Sequence, residues 1–151
     1  VQAISGATGN ELQALTEKAK EIGATTQWSA SQAAEGLQYL SMAGWDTQSM
    51  LDGLTPIVNL ATASTESLGT VSDIVSDALT AFGLSASDTT EFCDVLAATM
   101  ANSNTNVAML GETFQYAAPL AGALGFSMQD VATAAGLMAN AGIKASVSGT
   151  A

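Results

Sequence analysis

Apolar residues return every three or four positions along most of this chain, and no stretch alternates apolar with polar for long enough to compete as a strand. A period near 3.6 commits a sequence to helices, each with one stripe to bury against another element, so the fold class is all-α. Glycine, proline and Ser/Asp/Asn clusters interrupt the period at short intervals. They divide the chain into about seven short helices that must pack as a compact bundle. A length of 151 residues suits one domain or one piece of a larger protein. Residues 1-151 are accordingly expected to be a single helical fragment of a longer chain, because Val1 stands where an initiator Met would and Ser148 to Ala151 carry no terminating feature.

The punctuation places each helix. Asn10 with Gln13 resembles a capping box, Leu12, Leu15, Ala19 and Ile22 form the stripe behind it, and Gly23 is the expected stop. A second helix opens at Ser29 with Gln32, turns Ala33, Leu37 and Leu40 inward, and stops at Gly44. The third follows Asp46 and buries Met50, Leu54, Ile57, Val58 and Ala61; Pro56 predicts a kink or a restart at Thr55. The most regular stripe belongs to the fourth, expected from Thr65: Leu68, Val71, Ile74, Val75, Ala78, Leu79 and Phe82, closed by Gly83. Ser85 and Asp88 open a fifth helix around Phe92, Val95 and Leu96, and the uncharged run from Asn102 to Asn106 is a loop. Val107, Leu110, Phe114, Ala117, Ala118 and Ala121 mark a sixth, interrupted by Pro119, and Ser127 with Asp130 opens a seventh that ends before Gly142. The order of caps suggests two pseudo-repeated three-helix units, 29-83 and 85-142.

Charge removes several functions. Fourteen carboxylates face three lysines, with no arginine and no histidine, for a net charge of -11. Such a surface cannot neutralise phosphates, which excludes direct nucleic-acid binding. Without histidine, and with Cys93 as the sole cysteine, the chain lacks the usual general base, a disulfide framework and a thiolate zinc site. No catalytic, cofactor-binding or metal-binding residues are assigned, and an enzyme is the least favoured reading. Asp73 and Asp77 share a helix face, as do Glu91 with Asp94 and Glu17 with Glu21, but all fall off the apolar stripes and read as solvated carboxylates. Trp28 and Trp45 bracket the second helix and are read as helix-end packing first and as a candidate partner surface second. Aromatic content is only 5%, so the core must be built from small side chains and closely approaching helices.

One asymmetry exceeds these bland readings. The first 112 residues hold thirteen of the fourteen carboxylates, and from Thr113 to Ile143 the only charge is Asp130. With Pro119 and Asp130 intervening, neither half reaches the ~20 apolar residues of a membrane span. The stretch is therefore expected to be a buried hairpin or a partner surface, with conditional membrane contact as the alternative.

The segments 23-36 (GATTQWSASQAAEG), 40-45 (LSMAGW), 71-84 (VSDIVSDALTAFGL) and 137-143 (LMANAGI) resemble the core region of lactococcal-type phage tail tape measure proteins, and 104-107 (NTNV) and 111-119 (GETFQYAAP) are similar to it as well. The resemblance covers the chain from about residue 10 onward and rests on the ordered series of segments. It implies a structural, non-enzymatic protein without cofactors. Such a protein fills the tail tube during assembly, sets tail length and leaves ahead of the genome. Implied partners are tail-tube, tail-initiator or tail-assembly chaperone proteins and further copies of the chain; implied locations are the virion tail interior and the host cytoplasm during assembly. The alternative is a membrane-active module that assists genome ejection at the host membrane. Helix rises about 1.5 Å per residue, so even one straight helix of this length would measure only about 225 Å. Short, broken helices predict a compact module attached to a ruler formed elsewhere.

Overall fold

The computed structural model describes residues 5-151, so Val1 lies outside the described residues. They form eight α-helices and no strand: α1 (Asn10–Thr25), α2 (Ala30–Met42), α3 (Thr47–Ala63), α4 (Leu68–Ala81), α5 (Thr89–Asn102), α6 (Val107–Leu124), α7 (Met128–Asn140) and α8 (Ala145–Thr150), with a 3-10 turn at Ala86–Asp88 leading into α5. Each helix from α2 onward packs on the one two places ahead, α2 on α4, α3 on α5, α4 on α6, α5 on α7 and α6 on α8, while α1 leans chiefly on α2. Odd and even helices thus make two layers, and the chain alternates between them. Packing of this kind joins each element only to near neighbours in sequence, as in helical solenoids.

Local chemistry sets most of the boundaries. The Ser29 hydroxyl accepts the Gln32 amide at 3.1 Å while the Gln32 side chain accepts the Ser29 amide at 2.8 Å, a complete capping box. Asp46, Ser67, Asn106 and Ser127 cap α3, α4, α6 and α7 with their side chains. The end of α2 shows how the chain reverses: Gly44 takes φ 84°, and Trp45 donates its amide to the Leu40 carbonyl at 3.1 Å. A side chain with a Cβ would be strained there, so the glycine permits the reversal, after which the Trp45 ring lies against Gly53 of α3.

Five expectations need correction. The cap of α1 is Gly9, with Asn10 already helical, so no capping box forms. Gly23 does not stop α1, which continues to Thr25; its missing side chain instead lets the Ala30 backbone lie against it, where a Cβ would come within 2.6 Å of the Ala30 nitrogen. The fourth helix starts after Ser67 rather than at Thr65. Neither proline breaks its helix: α3 is continuous through Pro56 and α6 through Pro119. An interior proline costs about 3 kcal/mol, but Leu54, Ile57 and Val58 around Pro56 are buried and contribute about 1.5–3 kcal/mol each, so packing wins. Finally, Ile74 is half-buried rather than a core residue, because it faces Gly111 of α6 at the margin of the stack.

Most other stripe residues are buried as their spacing requires, among them Met50, Leu54, Ile57 and Val58 of α3 and Val107, Leu110, Phe114 and Ala118 of α6, whereas Leu12, Phe82, Val95 and Ala117 are half-buried at the ends and edges of their stripes. Phe82, Phe92 and Phe114 meet where α4, α5 and α6 converge, with ring centroids 5.5–6.4 Å apart in tilted and edge-on arrangements. Elsewhere the core is chiefly leucine, isoleucine, valine and methionine, with close approaches at particular glycines such as Gly23 and Gly53.

Candidate functional site

The outer face of α6, α7 and α8 carries the feature that packing leaves unused. Inward, α6 presents Val107, Leu110, Phe114, Ala118 and Ala121 to the core; outward, it presents Tyr116, Leu120 and Leu124, which are 52%, 64% and 65% exposed. Gly125 takes φ 82° at the end of α6, and Phe126 donates its amide back to the Ala121 carbonyl at 2.9 Å, which leaves the phenyl ring on the surface. Between this ridge and α7 runs a groove of about 380 Å³, lined by Ala117, Leu120, Leu124, Phe126, Val131 and Met138 among others. Asp130 is the one charged side chain in its wall, and the carboxylate is occupied by the Ser127 cap: it accepts the Ser127 amide at 2.9 Å and hydroxyl at 2.8 Å. Those hydrogen bonds hold its pKa below the usual carboxylate range, so it stays ionised and turned to the helix end. Of the eight large apolar side chains exposed among the described residues, seven lie between Tyr116 and Val147. The stretch from Thr113 to Ile143, charged only at Asp130, therefore combines a buried inner stripe with an exposed apolar face, so it is not a wholly buried hairpin. No helix among the described residues is long and apolar enough to cross a membrane.

Helix α8 closes one side of this groove and was not legible in the sequence. Its sole buried residue is Ser148, whose hydroxyl pairs with that of Thr113 at 2.6 Å; Thr113 also donates to the Ala145 carbonyl at 3.0 Å. Gly149 lies directly on α6, where a Cβ would stand 2.6 Å from the Thr113 carbonyl oxygen. Ala145 enters the helix at φ 56°, a left-handed conformation that costs a residue with a Cβ about 1–2 kcal/mol. A short polar segment with no apolar stripe gives periodicity nothing to detect.

The other candidates are dispersed. Asp73 and Asp77 are exposed on α4, with Glu112 of α6 across a crevice of about 520 Å³. Partial burial, and then the charge of Asp77, raise the Asp73 pKa, and no group of three metal-capable side chains forms among the described residues. Glu91 accepts the Gln129 amide at 2.6 Å, tying α5 to α7. Glu21 and Glu17 pair with Lys18 and Lys20 at 3.2 and 2.9 Å on the surface of α1. Such exposed pairs contribute about 0–1 kcal/mol. Cys93 is buried, and desolvation, with a smaller effect from Asp94, pushes its pKa up to about 12, so it stays a thiol and not a nucleophilic thiolate. Trp28 donates its indole N–H to the Thr62 hydroxyl at 2.9 Å, which ties the start of α2 to the end of α3. Trp45 lies on Gly53, where any Cβ would overlap its ring. Both tryptophans are half-buried and engaged in packing.

Comparison with known proteins gives this arrangement a context. The family model for phage-related minor tail proteins matches residues 16–151. The tape measure protein of Pneumococcus phage Dp-1 is 37% identical over 150 residues, covering 99% of this chain and 13% of that protein. The probable tape measure protein of Escherichia phage P2 is 29% identical over 153 residues, covering 99% of this chain and 19% of its own length. The chain thus spans less than a fifth of either curated relative. No solved structure matches it.

Proposed function

The chain belongs to the phage-related minor tail protein family, and from that premise we propose that it is a structural module of a tail tape measure protein, acting in tail assembly, length determination and genome delivery without catalysis. The observation that carries the reading is the family match over nearly all of a chain whose helices fold back on one another. The longest, α6, has 18 residues and so spans only about 27 Å. A two-layer stack of such pieces suits recognition better than measurement. In this reading the extended ruler lies in other parts of the parent protein, and the module contacts tail-tube, tail-initiator or tail-assembly chaperone proteins. Its place is the tail interior, reached from the host cytoplasm during assembly. The exposed apolar face of α6 to α8 supplies a contact surface, and the half-buried Trp28 and Trp45 offer a second, smaller one.

The test is to purify complete virions of a phage whose tail protein carries this segment, dissociate heads from tails, and follow the segment by mass spectrometry. Recovery in the tail fraction is expected, together with cross-links to tube or initiator proteins. Recovery in heads alone, or absence from virions that still require the gene, would contradict the reading.

A further inference from the structure

We infer that the groove between α6 and α7 is the seat of the parent protein's own chain: the segment directly after Ala151 continues α8 as a helix and lays an apolar stripe along Leu120, Leu124 and Phe126. The inference takes from the proposed function only that this chain is a module of a longer protein, and it assigns the apolar face of α6 to that protein rather than to a separate one.

The first observation is direction. The pairs α4 with α6 and α5 with α7 run parallel. Ile74 lies on Gly111, and a little over two turns later the Phe82 carbonyl faces Gly122. Glu91 bonds Gln129 at the start of α5 and α7, and Asn104 bonds Asn140 at their ends, 38 and 36 residues on. Helix α8 follows the same rule on α6. Thr113 bonds Ala145 and Ser148, 32 and 35 residues on, and Gly149 then stands against Tyr116. The C-terminal end of α8 is therefore aimed along α6 toward Leu120 and Leu124, and Ser148 to Ala151 stand in the wall of the groove that lies ahead.

The second observation is coverage. Helix α6 lies along α4 from Ile74 to Phe82, and the large apolar side chains of α4 are buried or half-buried. With six residues, α8 accompanies α6 only about as far as Tyr116, and Leu120 and Leu124 are exposed just beyond it. Carrying α8 to the level of Leu124 takes about nine more residues, a rise of about 14 Å. The groove on that path is lined by the small side chains Ala117, Ala121 and Ala134, over which a helix can approach closely.

The third is what α8 lacks. It enters through a left-handed Ala145 and buries only Ser148, so as a six-residue piece it has no apolar stripe to offset that strain or the cost of starting a helix. Ala145, Ser148 and Gly149 form its inner face. The same period brings the first, fourth, fifth and eighth residues after Ala151 onto the groove, and these are the positions at which the segment carries apolar or small side chains. Chain to supply it is ample in the relatives, of which the matched part is only 13% and 19%.

The experiment is thiol labelling of the purified parent protein with a maleimide, read site by site by peptide mass spectrometry. Leu124→Cys is compared with Thr55→Cys, an exposed position on α3, while the buried Cys93 reports on the fold by staying unlabelled. Leu124→Cys should react at least about tenfold more slowly than Thr55→Cys, at every protein concentration in a series. Deleting the ten residues after Ala151 from the parent protein should bring the two rates together. Should that deletion expose Cys93, a single aspartate at the fifth residue after Ala151 takes its place, with the same expectation. Equal rates in the undeleted protein overturn the proposal. So does protection that survives the deletion, which would place another part of the parent in the groove, and so does protection that grows with concentration, which would place a second copy there. No tail enters the measurement, so it stands or fails separately from the virion fractionation above.

Discussion

At the residue scale, burial decides what chemistry each side chain retains. Ser41 of α2 is buried, and its hydroxyl has no hydrogen-bond partner. Ser41→Ala removes that unmet demand and should stabilise the chain by about 1 kcal/mol, a rise of about 2–4 °C in the midpoint of thermal unfolding. Cys93 gives a pH-dependent counterpart. In the unfolded chain the thiol ionises around 9.0, whereas in the fold burial holds the proton to about 12. Between those values the unfolded state binds fewer protons, so stability must fall as pH rises from 9.0 toward 12. Urea midpoints at successive pH values should show this decline, and Cys93→Ala should flatten it. The absence of histidine was legible as a functional exclusion. The glycine contacts were not, because composition predicts close approach without saying that Trp45 lies on Gly53 or Ile74 on Gly111.

At the scale of elements, helix α4 shows how a regular pattern can still mislead at one position. Its stripe places Val71, Val75 and Leu79 in the core, but Ile74 rotates to the margin beside Asp73 and Asp77. Replacing both aspartates by asparagine should leave stability nearly unchanged, with a slight gain from Asp73, whose ionised form is disfavoured by desolvation and by its neighbour. Ile74→Asp should be more harmful, since it removes the contact with Gly111 and adds a carboxylate to an acidic crevice. Equal effects, measured by urea unfolding, would show that α4 presents a different face. Helix α8 makes the opposite point, for it is held by hydroxyls and not by a stripe. Thr113→Val should weaken its docking by about 1–2 kcal/mol, seen as faster amide exchange across Ala145–Thr150 with α1 to α5 unaffected. Caps and periodicity made the seven longer helices readable. The continuity of α3 and α6 was not, because whether a proline breaks a helix depends on buried neighbours that only the tertiary packing supplies.

At the scale of the whole molecule, the sequence foretold an all-helical chain and a charge-poor segment set apart from an acidic one, but not how the layers would order them. That order depends on which stripes meet across the stack, and it leaves the seam of α6, α7 and α8 uncovered. A folded module, as proposed for this chain, and a length of ruler answer differently to deletion. Helix α4 packs on α2, α3 and α6, so its loss would open the middle of the stack. The most direct test is electron microscopy of tails from a phage in which the residues corresponding to Thr65 through Phe82 are deleted in frame. Loss of a module's central helix should give failed assembly or non-infectious particles, with no population of viable, shortened tails. Viable particles with tails shorter by about 27 Å, the length of eighteen helical residues, would contradict the module reading and make this region part of the measure itself.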